Sequence, residues 1–232
     1  MIAALAPKFA KLSPAQRRLW PALRPSVALG FVLYGGTAVS LHLGHRRSVD
    51  FDFFHEKALD KAEVRATFPF MQEAAALQDT INTLVVLVPG SYLGARDGVK
   101  VSFFGGMNFG RVGEPLLAAD GVLETAALED LVAHKLKIIL QRAEKKDYED
   151  IAAMIRAGCS VARGLAAARL FFGSAFQPAE SLKAMVYFRD DNLARLSRTD
   201  QETLIEAASA VRKLPGVRLR SKSLSIPVAR RA

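Results

Sequence analysis

Two short motifs carry groups that could do chemistry together. Gly35, Gly36 and Thr37 follow an apolar segment, and Asp50 and Asp52 alternate with phenylalanines further along the chain. On a β-strand, residues i and i+2 point to the same face, which puts these two carboxylates roughly 6–7 Å apart at their Cα atoms. Such a pair suits the oxygen ligands of a Mg²⁺ ion bound to a triphosphate. A glycine-rich turn at a helix N-terminus offers backbone N–H groups to phosphate. Together the motifs predict a site for nucleotidyl transfer.

The elements around these motifs would place them side by side. The apolar segment 31–34 predicts a strand, 37–43 predicts a short helix closed by a glycine, and 49–54 predicts a second strand. In that second strand, Phe51 and Phe53 lie on one face and the two carboxylates on the other. The phenylalanines give the strand an apolar face to bury, so the carboxylates must face a cleft or solvent.

The segments 33–38 and 44–54 resemble the AbiEii-type nucleotidyltransferases. These enzymes belong to the polymerase-beta-like nucleotidyltransferase superfamily and include toxins of abortive-infection toxin–antitoxin systems. The superfamily pattern is an apolar residue, Gly-Gly or Gly-Ser, a spacer, and then Asp-apolar-acid-apolar, which the chain fits from Tyr34 to Phe53. The resemblance covers about residues 28–157. It implies an α/β (α+β) fold, with a polymerase-beta-like core built on a mixed sheet and a helical C-terminal half.

A helical stripe predicts the second half of the site. Apolar residues recur at helical spacing over 128–140, and Lys135 lies at the edge of this stripe. Its side chain either extends to the surface or points into a cleft towards an anion. The resemblance implies the second: Lys135 would hold the nucleotide phosphates, and Asp147 or Asp150 would complete the active site. Asp147 and Asp150 share a helix face, although Asp147 could equally be an acid that complements the helix dipole.

One strand departs from the superfamily pattern. Superfamily members commonly carry a third acid on a later strand, where it can serve as general base. The best candidate strand is 99–104, and the expected position holds Ser102, which cannot act as a charged metal ligand. Three explanations stay open: the alignment is shifted, another acid (Asp147, Asp150 or Glu129) acts instead, or catalysis is weakened.

Composition fits a cytoplasmic enzyme. The 232 residues are 50% hydrophobic, but no apolar run reaches the ~18–20 residues that a membrane-spanning helix needs. Residues 1–12 lack the pattern of a secretory signal. The single Cys159 allows no internal disulfide, and the four histidines show no metal-ligand spacing. We therefore expect no membrane partner and a cytoplasmic location.

Positive charge is concentrated near the C-terminus. Seven basic residues and no acid lie in 212–232, which leaves +2 of the formal +9 for the rest of the chain. The segment 215–232 predicts a flexible basic tail. This tail either attracts the phosphates of RNA or only improves solubility. Arg46 and Arg47 lie beside the predicted site, where a polyanionic acceptor or a triphosphate would dock.

These features predict three parts and one activity. Residues 1–126 form the nucleotidyltransferase core with a helical lead-in, 127–214 form a helical domain that completes the active site, and 215–232 form the tail. We expect Mg²⁺-dependent (or Mn²⁺-dependent) transfer of an NMP from an NTP to a hydroxyl acceptor. The resemblance implies that the acceptor is RNA, such as the 3′ end of a tRNA. It also implies that the enzyme is a toxin with a cognate antitoxin as partner.

Each predicted residue has one expected role. Asp50 and Asp52 are expected to bind the metal, with Lys135 and Asp147 as the further catalytic residues. Contacts to the nucleotide are expected from Gly35, Gly36, Thr37, Arg47 and Ser48. Two alternatives remain. The first is a small-molecule (antibiotic-type) nucleotidyltransferase, which an acidic pocket in place of the Arg46 and Arg47 surface would favour. The second is a nucleotide-binding module without turnover. The second alternative predicts binding of Mg²⁺-NTP with no release of pyrophosphate.

Overall fold

The computed structural model describes residues 4–190 and 192–226 of the chain. The described residues form two compact units. The first unit consists of 4–110, 114–126 and 222–226, and the second of 111–113 and 127–221. No helix in the described ranges has both the length and the apolar composition that crossing a bilayer requires.

The first unit is a mixed sheet with short helices. Its strands are β1 (Ala4–Leu5), β2 (Val32–Tyr34), β3 (Phe51–Phe54), β4 (Ala75–Thr80), β5 (Thr83–Val88), β6 (Val99–Phe104), β7 (Leu116–Ala118) and β8 (Glu124–Thr125). Its helices are α1 (Pro14–Leu19), α2 (Pro25–Ala28), α3 (Gly35–Leu43) and α4 (Lys61–Thr67). The strands predicted at 31–34, 49–54 and 99–104 correspond to β2, β3 and β6.

The sheet places β3 near its middle. The strand order is β1-β7-β8-β2-β3-β6-β5-β4, and β3 pairs antiparallel with β2 and parallel with β6. On one face of β3, Phe53 packs with Phe31 and Phe103 at ring-centroid distances of 5.6 to 6.4 Å. Phe51 and Phe53 are fully buried. This apolar layer fixes the register of β3, because a slip of one residue would turn its phenylalanines to the other face.

Local signals explain where some elements begin and why others were missed. Ser13 caps α1 in a reciprocal capping box with Gln16, as a Ser-Pro start predicts. The edge strand β4 was not predicted, because all six of its residues are exposed and carry no alternating apolar pattern. Its strand conformation comes from antiparallel pairing with β5.

The regular secondary structure of the second unit is helical and lies between residues 128 and 209. It contains α5 (Leu128–Ile138), α6 (Lys145–Arg156), α7 (Val161–Phe172), α8 (Pro178–Met185) and α9 (Arg198–Ser209). The apolar stripe predicted over 128–140 corresponds to α5, and the other four helices lie within the range 127–214 that was predicted to be helical. α5 packs against α7 at Gly164, where a Cβ atom would lie 2.4 Å from Val132 Cγ1. The absence of a side chain at Gly164 lets these two helices approach closely.

Part of the predicted tail packs into the first unit. Leu224 and Ile226 are buried, and Glu56 accepts hydrogen bonds from Ser223 Oγ at 2.6 Å and from Leu224 N at 3.2 Å. The apolar side chains between the basic residues provide this anchorage. A flexible tail from residue 215 therefore does not describe residues 223–226, and the last part of the predicted tail, 227–232, lies outside the described residues.

Candidate active site

The two aspartates lie at the start of β3. Asp52 is within the strand and half-buried, whereas Asp50 immediately precedes its first residue. Phe51 and Phe53 point into the apolar layer with no exposed surface, so the carboxylate of Asp52 projects from the opposite face. This is the alternation that the sequence predicts.

The N-terminus of α3 lies directly against Asp52. Gly35 is the first residue of α3 and has a φ of +73°, a conformation that residues with a side chain rarely adopt. A Cβ atom on Gly35 would lie 2.7 Å from Asp52 Oδ2, so glycine is what permits this approach. The first amides of a helix have no carbonyl partner within it and carry the positive end of its dipole. Gly35 and Gly36 thus place helix N-terminal amides, groups that can bind phosphate, beside a carboxylate.

Thr37 positions the loop that leads into β3. Its side chain is buried, and its hydroxyl donates to the backbone carbonyl of Asp50 and lies 2.9 Å from Ser48 Oγ. The Thr37 hydroxyl is therefore committed to Asp50 and Ser48. Only the backbone N–H of Thr37 then remains for a contact with phosphate. The side chain of Thr37 instead fixes the backbone from which the Asp50 carboxylate projects.

The loop that carries Arg46 and Arg47 is anchored by a hydrogen bond from α3, and the Arg47 side chain lies at the surface. Ser40 Oγ of α3 donates to the Arg46 carbonyl at 2.6 Å, and Arg46 Nη1 donates to the Arg47 carbonyl at 2.8 Å. The Arg47 side chain is exposed. Arg47 is thus able to contact an anion from solution, as its predicted role requires.

A lysine that the sequence reading missed contacts Asp50. Ser102 of β6 lies beside Asp52 of β3 in the parallel register, at the position where a third acid was expected. Lys100, two residues earlier on β6, places Nζ 3.0 Å from Asp50 Oδ2. Its signal in the sequence was the i, i+2 spacing from Ser102, which puts both side chains on one face of the strand.

The second unit brings together the predicted lysine and both predicted acids. Lys135 Nζ lies 2.6 Å from Asp147 Oδ1 and 2.6 Å from Asp150 Oδ2, and the Lys135 side chain is only 4% exposed. Arg142 Nε adds a contact of 2.8 Å to Asp147 Oδ2. Burial opposes ionisation of Asp147, but Lys135 and Arg142 outweigh it and hold its pKa below the ordinary value. Lys135 therefore does not extend to the surface; it forms a buried ion-pair cluster with two carboxylates on one face of α6.

Two further acids of the second unit have partners of their own. Glu129 is exposed and lies 3.4 Å from Arg163. Asp130 is buried, accepts a hydrogen bond from Val112 N at 2.9 Å, and also contacts Gly113 N. Burial raises the pKa of Asp130 to about 7, although these amide groups favour its ionised form. No local pattern identifies Asp130, because Val112 and Gly113, whose amides it contacts, lie well before it in the chain.

One family model matches most of the chain. The model of the family described as nucleotidyl transferase AbiEii toxin, type IV toxin–antitoxin system, matches residues 18–214. The chain belongs to the AbiEii nucleotidyltransferase toxin family. The family resemblance of the sequence motifs is thereby confirmed, and the protein is a nucleotidyltransferase.

Relatives and solved structures extend this picture. The protein aq_aa25 of Aquifex aeolicus (strain VF5), described as uncharacterized, is 33% identical over 152 residues, which are 63% of this chain and 68% of that protein. The nucleotidyltransferase toxin MenT4 of Mycobacterium tuberculosis H37Rv matches with a TM-score of 0.60 and 17% identity, covering 85% of this chain and 82% of its own. JHP933 of Helicobacter pylori matches with a TM-score of 0.54 and 16% identity, covering 84% and 88%. These similarities confirm the predicted α/β nucleotidyltransferase fold.

Proposed function

We propose that this AbiEii-family enzyme transfers an NMP from an NTP to a hydroxyl of RNA, and that Asp50 and Asp52 are the centre of the reaction. The observation that carries this proposal is the contact between Asp52 and the N-terminus of α3. It sets a carboxylate beside amide groups that can bind phosphate, with Gly35 permitting a separation that any side chain would prevent.

The chemistry of the donor set fits a divalent cation. Asp50 and Asp52 offer hard oxygen ligands of the kind that Mg²⁺ prefers, and the Asp50 carboxylate pairs with the Lys100 ammonium at 3.0 Å. In the described part of the chain, no three acidic, His or Cys side chains gather into a preformed metal cluster. Mg²⁺ is commonly held by one or two carboxylates together with substrate phosphates and water, so two aspartates suffice. A bound Mg²⁺ or Mn²⁺ would supply positive charge to the α-phosphate and the pyrophosphate leaving group.

The remaining groups of the first unit orient the triphosphate. The amides of Gly35, Gly36 and Thr37 would bind its phosphate oxygens, and Arg47 with Ser48 would add charge and a hydrogen bond. The acceptor oxygen then bonds to the α-phosphorus while the bond from that phosphorus to pyrophosphate breaks. The proton of the acceptor hydroxyl passes to solvent, because Ser102 cannot accept it at neutral pH.

Lys135 and Asp147 enter the proposal through the family resemblance. Both are expected to take part in binding the nucleotide, and their ion-pair cluster would hold α5 and α6 in one arrangement. The RNA acceptor is supported by basic side chains: Arg46 and Arg47 beside the aspartates, and an exposed basic run within 212–222. Family membership supports an antitoxin protein as partner, and we place the reaction in the cytoplasm.

The presence of Ser102 beside Asp52 favours one second candidate function. Without a third acid, the protein could bind Mg²⁺-NTP and fail to turn it over. This candidate predicts a nucleotide-binding module with the same fold and the same aspartate contacts. A small hydroxylated acceptor is the other outcome that an experiment must distinguish.

The test uses the full chain, Mg²⁺, each α-phosphate-labelled NTP in turn, and total tRNA, with the RNA resolved on a gel. The proposal predicts labelled tRNA that is lost in Asp52→Asn and retained in Asp79→Asn. Asp79 is a matched control, because it is an exposed strand aspartate paired with Lys61 and Arg65. Binding of NTP without label in RNA or pyrophosphate release would support the inactive module. Pyrophosphate release that requires a small alcohol would support the small-molecule enzyme.

A further inference from the structure

The last residues that the structure describes are bound to the sheet that carries the aspartates. Glu56, just beyond the end of β3, accepts hydrogen bonds from Ser223 Oγ at 2.6 Å and from Leu224 N at 3.2 Å. Two residues later, Ile226 N donates to Glu124 Oε2 of β8 at 3.3 Å. The side chains of Leu224, Ile226 and Glu124 are buried. Residue 226 is therefore held at a fixed point of the first unit.

This anchor point lies on the same face of the sheet as Asp52. Glu124 of β8 is the partner of Val32 on β2, and Val32 is in turn the partner of Phe54 on β3. Residues paired across neighbouring strands point to the same face, and so do residues two apart on one strand. Glu124 therefore points to the same face as Phe54 and Asp52.

Asp52 lies within reach of the residues that follow the anchor point. In the register of the sheet it is two strands and two residues away from Glu124, which is about 12 Å between Cα atoms at ordinary strand spacing and rise. The sequence continues after Ile226 with residues 227–232. An extended chain covers at most about 3.3–3.6 Å per residue, so the Cα atom of Arg230 can lie up to about 14 Å from Ile226. The side chain of Arg230 can therefore reach the carboxylate of Asp52.

The order of side chains in this part of the sequence matches the order of surfaces on the face. Between the anchor point and Asp52 the face carries an aromatic pair, in which Tyr34 stacks on Phe54 at 4.7 Å. In the sequence, the apolar residues 227–229 precede two arginines at 230–231, and no acid follows them. An apolar stretch followed by positive charge thus corresponds to an aromatic surface followed by a carboxylate.

We propose that the segment 227–231 is an autoinhibitory element. Its apolar residues lie over the aromatic pair, and one of its two arginines pairs with Asp52 while no nucleotide is bound. This arginine has to leave before a metal ion that arrives with the NTP can bind Asp52. The inference rests on the proposed function, since it assumes that Asp52 binds the metal. It adds a regulation of that site by the chain itself.

Arginine-specific labelling measures whether the arginines are covered. The full chain is treated with phenylglyoxal, and peptide mapping gives the labelling rates at positions 230 and 231. For the more protected of the two, we expect at least ~10-fold faster labelling once Mn²⁺ and a non-hydrolysable NTP analogue are bound, because the rate follows the population of the open form. Equal labelling with and without nucleotide, or slower labelling with it, would overturn the inference.

Two aspartate variants locate the contact. Asp52→Asn should show the fast labelling even without nucleotide, because it removes the charge that holds the arginine. Asp79→Asn is the matched control and should keep the slow labelling, since Asp79 is an exposed strand aspartate that pairs with Lys61 and Arg65. Slow labelling in nucleotide-free Asp52→Asn would contradict the pairing.

The charges of the arginines provide a quantitative test. Without nucleotide and at 0.1 M ionic strength, replacing both Arg230 and Arg231 with glutamine should tighten Mn²⁺ binding about 5-fold or more, because two unit charges about 8 Å from a divalent ion have that effect in screened water. Replacing both Lys61 and Arg65 removes the same charge from α4. This control should change the affinity less than about 2-fold, because their partner Asp79 lies on β4, three strands or about 14 Å from β3.

The direction of the effect decides between inhibition and assistance. Unchanged Mn²⁺ affinity in the double arginine variant would overturn the inference. Weaker binding of the Mn²⁺-nucleotide complex in that variant would also overturn it, because the arginines would then bind the phosphates of the substrate.

The same measurements separate this inference from the proposed function. If the wild type binds neither nucleotide nor Mn²⁺, or if Asp52→Asn binds both normally, the proposed site itself is wrong. If Asp52→Asn abolishes this binding while labelling of the wild-type arginines is fast and independent of nucleotide, the site stands and only the role of the segment 227–231 fails.

Discussion

Replacing Lys135 with methionine should strongly destabilise the helical unit. The Lys135 ammonium lies 2.6 Å from carboxylate oxygens of both Asp147 and Asp150, and neither aspartate side chain has exposed surface. Methionine is similar in length but leaves these carboxylates buried without their shared cation. Breaking a buried ion pair by removing one partner costs about 3–5 kcal/mol. Arg142 still contacts Asp147 at 2.8 Å, so we expect the lower part of that range.

Urea unfolding with two optical probes measures this loss. Far-UV circular dichroism follows the helices, and fluorescence follows Trp20, the only tryptophan of the chain, which lies in the first unit. The free energy of unfolding from circular dichroism should fall by about 3 kcal/mol in Lys135→Met. Lys137→Met is the control on the same helix; its Nζ donates to the exposed Ala175 carbonyl at 2.7 Å, and its loss should cost less than about 1 kcal/mol.

A compensated variant tests the electrostatic cause. Adding Asp147→Asn and Asp150→Asn to Lys135→Met removes the buried charges together, and replacing a whole buried ion cluster is often neutral. This variant should recover most of the lost stability, with Arg142 free to be hydrated because its side chain is 45% exposed. A loss below about 1 kcal/mol in Lys135→Met alone would refute the reasoning, since surface ion pairs contribute no more than that.

Three further predictions concern single contacts. Gly35→Ala should reduce nucleotidyl transfer at least ~100-fold while costing about 1–2 kcal/mol of stability, because its Cβ would displace Asp52 at a backbone φ of +73°; transfer near the wild-type rate would contradict the close approach. Thr37→Val should weaken transfer and Thr37→Ser should restore it, since the hydroxyl that donates to the Asp50 carbonyl is what matters; equal rates in both variants would show that it does not position Asp50. The pKa of Asp130 is about 7 in the folded state against an ordinary 3.8, so the folded state binds this proton more tightly than the unfolded state does. The resulting contribution to the free energy of unfolding is complete below pH 3.8 and is lost as the pH rises through about 7. Urea unfolding across this pH range should show a fall of up to ~4 kcal/mol that Asp130→Asn abolishes, and an unchanged slope in that variant would assign the fall to other groups.

The sequence was sufficient for features that depend on local spacing. The alternation of Asp50 and Asp52 with Phe51 and Phe53 is confirmed, because period-two patterns translate directly into the two faces of a strand. The shared face of Asp147 and Asp150 is likewise present on α6, and both carboxylates contact one lysine. The helix predicted over 37–43 is present and ends at the predicted glycine, but it begins two residues earlier, at Gly35.

The sequence was insufficient where strands distant in the chain determine the contacts. The pairing of Lys100 with Asp50 depends on the parallel register of β3 and β6, which no local pattern encodes. The Thr37 hydroxyl donates a hydrogen bond to the backbone carbonyl of Asp50, and this contact forms only when the loop is folded. Burial of Lys135 depends on packing around α5, so spacing alone left its surface and buried orientations equally open.

The central claim is that nucleotide and metal bind where Gly35 meets Asp52. A crystal structure of the full chain with Mn²⁺ and a non-hydrolysable NTP analogue tests it directly, because anomalous scattering locates the metal. The account predicts a Mn²⁺ peak at about 2.0–2.2 Å, ordinary for such ligands, from oxygens of Asp50 and Asp52, with phosphates on the amides of Gly35 to Thr37. A nucleotide bound elsewhere, with no metal at these aspartates, would contradict it.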